Sequence, residues 1–171
     1  MTFAVWLTGL SGAGKSAVAK HLLLRLHERG VDVAVLESDI LRTQLTPFPR
    51  YDEAERDAFY ATLAYLGTYL VSQDKPVIFD ATANRQGYRD RARRGIARFA
   101  EVHVSTPLEI CAARNTKGLY KEGTTTTLPG VHVPYEAPRS PELVLSGHRD
   151  TPSQGASEIM ELLERRGWLE S

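Results

Sequence analysis

An α/β fold is what this sequence predicts: a parallel five-stranded sheet with helices on both faces and a lid segment. Three observations lead there. Short apolar runs alternate with helix-length segments through most of the 171 residues, the pattern of strand–helix–strand units. A glycine-rich octapeptide directly follows the first apolar run, where a strand end would meet the start of a helix. One stretch in the last third of the chain loses apolar periodicity altogether, as an excursion from the sheet would.

The elements follow in order. Residues 3–7 read as the first strand, and the helix after it, reaching to about Arg29, carries Val18, Leu22 and Leu26 at helical spacing before Gly30 stops it. Residues 31–36 read as the second strand. A long helix over about 52–72 places Phe59, Leu63, Leu66 and Leu70 on one buried stripe. The third strand is read at 77–79, a helix at about 88–99, the fourth strand at 102–104 and a helix at 107–114. Residues 117–141, with four consecutive threonines and several prolines, form the expected lid. A last strand at 143–145 and a closing helix at 153–166, with Ile159, Leu162 and Leu163 inward, complete the pattern. Without repeats or a linker, residues 1–171 are read as one domain.

Composition narrows the partners. Lys plus Arg (21) balance Asp plus Glu (21), so no broad basic field favours a long nucleic acid. The lone Cys111 cannot form an internal disulfide and reads as a buried thiol in a reducing compartment. No apolar run approaches membrane-spanning length, and a loop that begins at residue 9 leaves no room for a cleavable leader, so the expected location is cytoplasmic, away from membranes.

The octapeptide Gly9-Leu10-Ser11-Gly12-Ala13-Gly14-Lys15-Ser16 carries the chemistry. Its glycines permit backbone conformations in which successive N–H groups surround a phosphate, with Ser11 and Ala13 between them. Lys15 adds a charge near the β and γ oxygens, and the Ser16 hydroxyl is the expected Mg²⁺ ligand at a helix start. A nucleoside triphosphate, ATP or GTP, with Mg²⁺ is therefore expected. In such a sheet ligands lie beyond the carboxyl ends of the strands, which directs attention to the residues after each apolar run. After the second come Asp39, a candidate base or Mg²⁺ ligand, and Arg42, a clamp for an anionic acceptor; they are three apart and share a face if a helical turn begins there. After the third come Asp80, suited to the Mg²⁺ shell, and Thr82, Asn84 and Arg85, polar groups aimed at the same cleft. Turn chemistry is the competing reading of Thr82 and Asn84. Arg89, Arg91, Arg93 and Arg94, further along that helix, are expected mostly on a solvated face. Arg114, Lys117 and Lys121 stand at the entrance to the lid, where cations could close over a triphosphate.

Taken together these segments resemble the adenylylsulfate kinases. The resemblance rests on residues 5–16 and on Tyr88-Arg89-Asp90-Arg91-Ala92-Arg93, Pro107-Leu108-Glu109-Ile110-Cys111, Lys117-Gly118-Leu119-Tyr120-Lys121 and Pro134-Tyr135-Glu136-Ala137-Pro138. It implies a P-loop kinase fold, transfer of the ATP γ-phosphate to the 3′-hydroxyl of adenosine 5′-phosphosulfate, and a tendency to form a homodimer. It further implies Asp39 as base, Arg42 and Arg56 on the small-molecule acceptor, Thr82 at the family's active-site serine, and Arg114 and Lys117 on the nucleotide. The departures gather on the acceptor side. The family's Asp-Gly-Asp is Glu37-Ser38-Asp39, and its Asp-Arg-x-x-Asn-Ile-Arg-Arg is Glu55-Arg56-Asp57-Ala58-Phe59-Tyr60-Ala61-Thr62, keeping only Arg56. Glu122-Gly123-Thr124 replaces a basic run, and Asp80-Ala81-Thr82-Ala83-Asn84-Arg85 resembles polynucleotide-kinase-like enzymes instead. A kinase for another hydroxyl, on a sugar, nucleoside or polynucleotide end, and a nucleotide-dependent switch are the alternatives at this level.

Overall fold

The computed structural model describes residues 2–121 and 127–169. The strands β1 (Ala4–Thr8), β2 (Ala34–Glu37), β3 (Val77–Asp80), β4 (Phe99–Ser105) and β5 (Leu143–Ser146) form a five-stranded sheet in the order β2-β3-β1-β4-β5, with every neighbouring pair parallel. Its helices are α1 (Lys15–Glu28), α2 (Ser38–Leu45), α3 (Glu53–Ser72), α4 (Gln86–Gly95), α5 (Leu108–Arg114) and α6 (Pro152–Arg165).

β1 lies mid-sheet and is buried along its whole length, because both faces are covered. Phe3, Val5 and Leu7 pack with Val18, Leu22 and Leu26 of α1 and Ile159 and Leu163 of α6. The alternate residues Ala4 and Trp6 pack on the other face with Phe59, Tyr60 and Leu63 of α3 and Tyr88 and Ala92 of α4. The period of two thus divides one apolar run between two cores. The helix stripes expected from sequence are the ones that meet them.

The helix starts differ in a way that matters for function. In α3 the Asp52 side chain accepts from the Glu55 N–H, and α6 begins with a reciprocal Thr151–Gln154 capping box. No side chain caps α1, whose N-cap is the left-handed Gly14. Its first-turn N–H groups are therefore available to an anion.

Three expectations are corrected. α4 runs over 86–95 rather than 88–99, and Phe99 opens β4; the misreading arises because Tyr88, Ala92, Ile96 and Phe99 continue a helical spacing into the same core although the backbone is extended by Ile96. β2 begins at Ala34 rather than 31. The α4 arginines are not a solvated face. Arg89 is fully buried against Glu101, with Nε 2.5 Å from Oε1, while Arg93 pairs with Glu142 and Glu101, and Arg91 with Asp57. Arg89 and Arg93 lie one helical turn apart and so share the inner edge of α4, leaving Arg94 exposed.

Strand register sets the site. Glu37 and Leu7 both align with Asp80, bringing the ends of β2, β1 and β3 level with the start of the phosphate loop. Among the described residues of the segment expected to form a lid, Leu128 is buried and Pro129 bridges Val133. Glu122-Gly123-Thr124 and most of the threonine run lie outside the described residues.

Candidate active site

The donor half is made largely of backbone. Gly9 is at φ 154°, and a Cβ there would stand 2.5 Å from the Val104 carbonyl oxygen; Gly12 is left-handed at φ 81°. Glycine is required at both for the loop to lie on β4 and α5. The buried Lys15 Nζ donates to the carbonyls of Gly9 and Leu10, both at 2.9 Å. Burial depresses its pKa to about 8, against the opposing pull of Asp80. Ser16 Oγ donates to Asp80 Oδ2 at 2.6 Å. The loop is braced from outside: Thr106 Oγ1 donates to the Ala13 carbonyl, Tyr120 Oη to that of Ser11 at 2.6 Å, and Arg114 to those of Gly12 and Gly147. Burial pushes the Tyr120 phenol up to about 12. Gly12, Gly14, Lys15, Ser16, Arg114 and Lys117 line a cavity of about 270 Å³ over the α1 N-terminus.

The acceptor half is made of side chains from several separate segments. Asp39, in the first turn of α2, forms an ion pair with Lys117 from the lid entrance. Arg42, one turn on, lies 4.1 Å over the Phe59 ring and 4.0 Å from Glu55. Arg56 donates to the Thr127 carbonyl at 2.8 Å, tying α3 to the lid. These residues, with Lys15, Asp80, Thr82, Tyr51, Leu128 and Pro129, line one cleft of about 200 Å³. Glu37 stands beside it; burial first, then the negative charges of Asp80 and Asp39, raise its carboxyl above the usual range.

Most of the residues singled out from sequence therefore face one cleft or the adjoining donor cavity. Asn84 and Arg85 line a neighbouring cavity of about 170 Å³ that shares Tyr51 and Arg56 with the cleft. Asn84 is buried, with Nδ2 donating to the Pro134 carbonyl, and Arg85 pairs with Glu53 at 2.5 Å. Lys121 is exposed and does not line the cleft. The sequence assigns neither Tyr120 nor Tyr51 a contact of its own. The Lys-Gly-Leu-Tyr-Lys motif was a signal for Tyr120; Tyr51, at φ 59°, had none beyond its position before the α3 cap.

The oxygen set suits Mg²⁺. The Ser16 hydroxyl, bonded to Asp80, and the carboxylates of Asp80 and Asp39, which line one cleft, are hard oxygen donors of the kind Mg²⁺ takes. Among the described residues no group of three or more His, Cys, Asp and Glu forms a protein cage. Mg²⁺ commonly takes one or two carboxylates and completes its shell with phosphates and water. No described helix is long and apolar enough to cross a membrane.

The chain matches known proteins over most of its length. The family model for adenylylsulphate kinase matches residues 1–146. The adenylyl-sulfate kinase of Halothermothrix orenii is 35% identical over 168 residues, spanning 96% of this chain and 91% of the relative. The APS kinase of Mycobacterium tuberculosis, solved in complex with AMPPNP and APS, superposes with a TM-score of 0.88 at 34% identity, over 95% of this chain and 98% of the other. Shikimate kinase from Acinetobacter baumannii, at 16% identity and a TM-score of 0.68 over 97% of this chain and 95% of that one, shares the fold alone. By sequence and by architecture, the chain belongs to the adenylylsulfate kinase family.

Proposed function

We propose that this chain transfers the γ-phosphoryl group of ATP to the 3′-hydroxyl of adenosine 5′-phosphosulfate. The observation that carries the reading is the placement of Asp39 in one cleft with Lys15 and Asp80 on the donor side and Arg42 and Arg56 on the acceptor side. Phosphoryl transfer asks mainly for positioning and for charge where charge accumulates. The loop amides and Lys15 hold the β- and γ-phosphates, and Lys117 and Arg114 face the same space. Mg²⁺, held by Ser16 and Asp80 with Asp39 within reach, would neutralise the triphosphate. Arg42 and Arg56 orient the anionic end of the acceptor, with Thr82 beside them. The acceptor oxygen forms a bond to Pγ as the bond from Pγ to the β–γ bridging oxygen breaks; the hydroxyl proton passes to Asp39, and ADP leaves. For Asp39 to act, its ion pair with Lys117 must open, and an incoming triphosphate is the natural competitor for that lysine.

A coupled ADP-release assay tests this. Adenosine phosphosulfate should strongly stimulate ATP turnover; equal turnover with and without it would overturn the reading. One observation favours a second acceptor class: the family's asparagine position is Phe59, buried under the Arg42 guanidinium. Phosphate transfer to a sugar, nucleoside or oligonucleotide end in the same assay, without response to adenosine phosphosulfate, would select that reading.

A further inference from the structure

The buried charge of α4 has no part in the chemistry above, yet apart from Glu101 its partners lie in β1, the loop after β3, the start of α4 and the segment around Glu136. Arg89 uses all five N–H donors. Nε donates to Glu101; Nη1 to the Ala83 carbonyl at 2.5 Å and to Thr8 Oγ1 at 3.3 Å; Nη2 to Gln86 Oε1 at 3.2 Å and the Glu136 carbonyl at 2.7 Å. Thr8 is a second junction. It is the last residue of β1, immediately before the phosphate loop, and is wholly buried. Its hydroxyl donates to the Thr82 carbonyl at 2.6 Å and accepts from Arg89 and from the Tyr135 phenol, the latter at 2.9 Å. Because a hydroxyl has one proton and two lone pairs, these three bonds exhaust its capacity and fix their directions.

We infer that Arg89, Thr8 and Tyr135 form a positioning junction that locks the loop after β3 and the returning arm of the lid to the end of β1, thereby setting the acceptor half of the cleft. The two segments it joins otherwise share few bonds: Asn84 Nδ2 with Pro134 O, Glu136 N–H with Asn84 O, Gln86 N–H with the Glu136 carboxylate and Arg139 N–H with Gln86 Oε1. Ala83 is held left-handed, at φ 43°, and Arg89 grips its carbonyl. A lysine at position 89 would keep the charge opposite Glu101 but could not reach acceptors on both sides of a planar fork. None of the three residues lines the 200 Å³ cleft, so each would act through Thr82 and the lid arm.

This inference concerns the acceptor site proposed above, and its test separates the two. In the full chain without ligand, amide hydrogen exchange is followed at Ala83, Gln86 and Glu136 for Thr8→Val, Tyr135→Phe and Arg89→Lys. Exchange should rise together in both segments, by about tenfold or more for Thr8→Val and less for Tyr135→Phe, while α1 and α6 stay protected. A rise in one segment without the other, or no rise in either, would overturn the junction whatever the acceptor is. In turnover with adenosine phosphosulfate, Tyr135→Phe should raise the acceptor KM roughly fivefold and leave the ATP KM within about twofold. Equal effects on both KM values would reduce the network to general stability. Should the unsubstituted chain ignore adenosine phosphosulfate, the functional proposal fails and exchange alone decides the junction. Should Thr8→Val not fold, Tyr135→Phe, which deletes a single hydroxyl, carries the test.

Discussion

The two halves of the cleft are built on different principles. The donor half is one contiguous loop, Gly9–Ser16, whose amides and Lys15 are the groups proposed to hold the phosphates and whose shape depends on glycines within it. The acceptor half assembles Asp39, Arg42, Tyr51, Arg56 and Thr82 from α2, the α3 approach, α3 and the β3–α4 loop, with Leu128 closing over them from the lid. A backbone site tolerates side-chain change around it. A side-chain site depends on each residue that builds it, and the departures from the family's pattern noted above, at Phe59, Tyr60, Ala61 and Thr62, lie on this side.

The sharpest way to break this division is at the reacting group. Asp39→Asn should lower kcat by about 10²- to 10⁴-fold, the range for a general base, with ATP affinity retained in calorimetry. Comparable transfer by the variant would remove Asp39 from the mechanism. On the acceptor side, Arg56→Ala deletes a charge-assisted donor worth about 1.5–3 kcal/mol, so the acceptor KM should rise roughly tenfold to a hundredfold while the ATP KM holds. If both constants rise alike, the halves are not separable at α3.

The donor half has its own signature in pH. Lys15, depressed by burial to about 8 in the free chain, attracts phosphate only when charged. Above that pH binding must first take up a proton, so the ATP Kd should climb by up to about tenfold per pH unit, and below it the profile should be flat with respect to Lys15. Calorimetry in buffers of different ionisation heat would register the proton uptake; a Kd independent of pH from 7 to 10 would contradict the burial of this amine. The smallest effect is expected where neither half is touched directly. Gly67 of α3 faces the Phe79 ring so closely that an added methyl would overlap it. Gly67→Ala should cost about 1–3 kcal/mol of overpacking and lower Tm by several degrees, with both KM values little changed.

The sheet, the long helices and the phosphate loop were legible because their signals are local. Alternation divides β1 between two cores, stripes mark α1, α3 and α6, and glycine spacing marks the loop. Asp39, Arg42, Asp80 and Thr82 were found by a further rule, that strand ends face the ligand. The same local reading failed where two periods coincide: Tyr88, Ala92, Ile96 and Phe99 fit a helix and enter one core, yet the chain has already become extended at Ile96. It failed again for Arg89, since nothing in a run of arginines says which one will lie opposite Glu101 once β4 is in register.

The sequence by itself determined the layered α/β order and the donor loop, because backbone dihedrals and hydrophobic periodicity are properties of neighbouring residues. Only the tertiary structure decided that Lys117 would reach Asp39 across 78 residues, that Arg56 would hold the lid at Thr127, and that Thr8 would join Thr82 to Tyr135. Those pairings depend on strand register and on the path of the lid, which the packing of the two cores fixes for the chain as a whole.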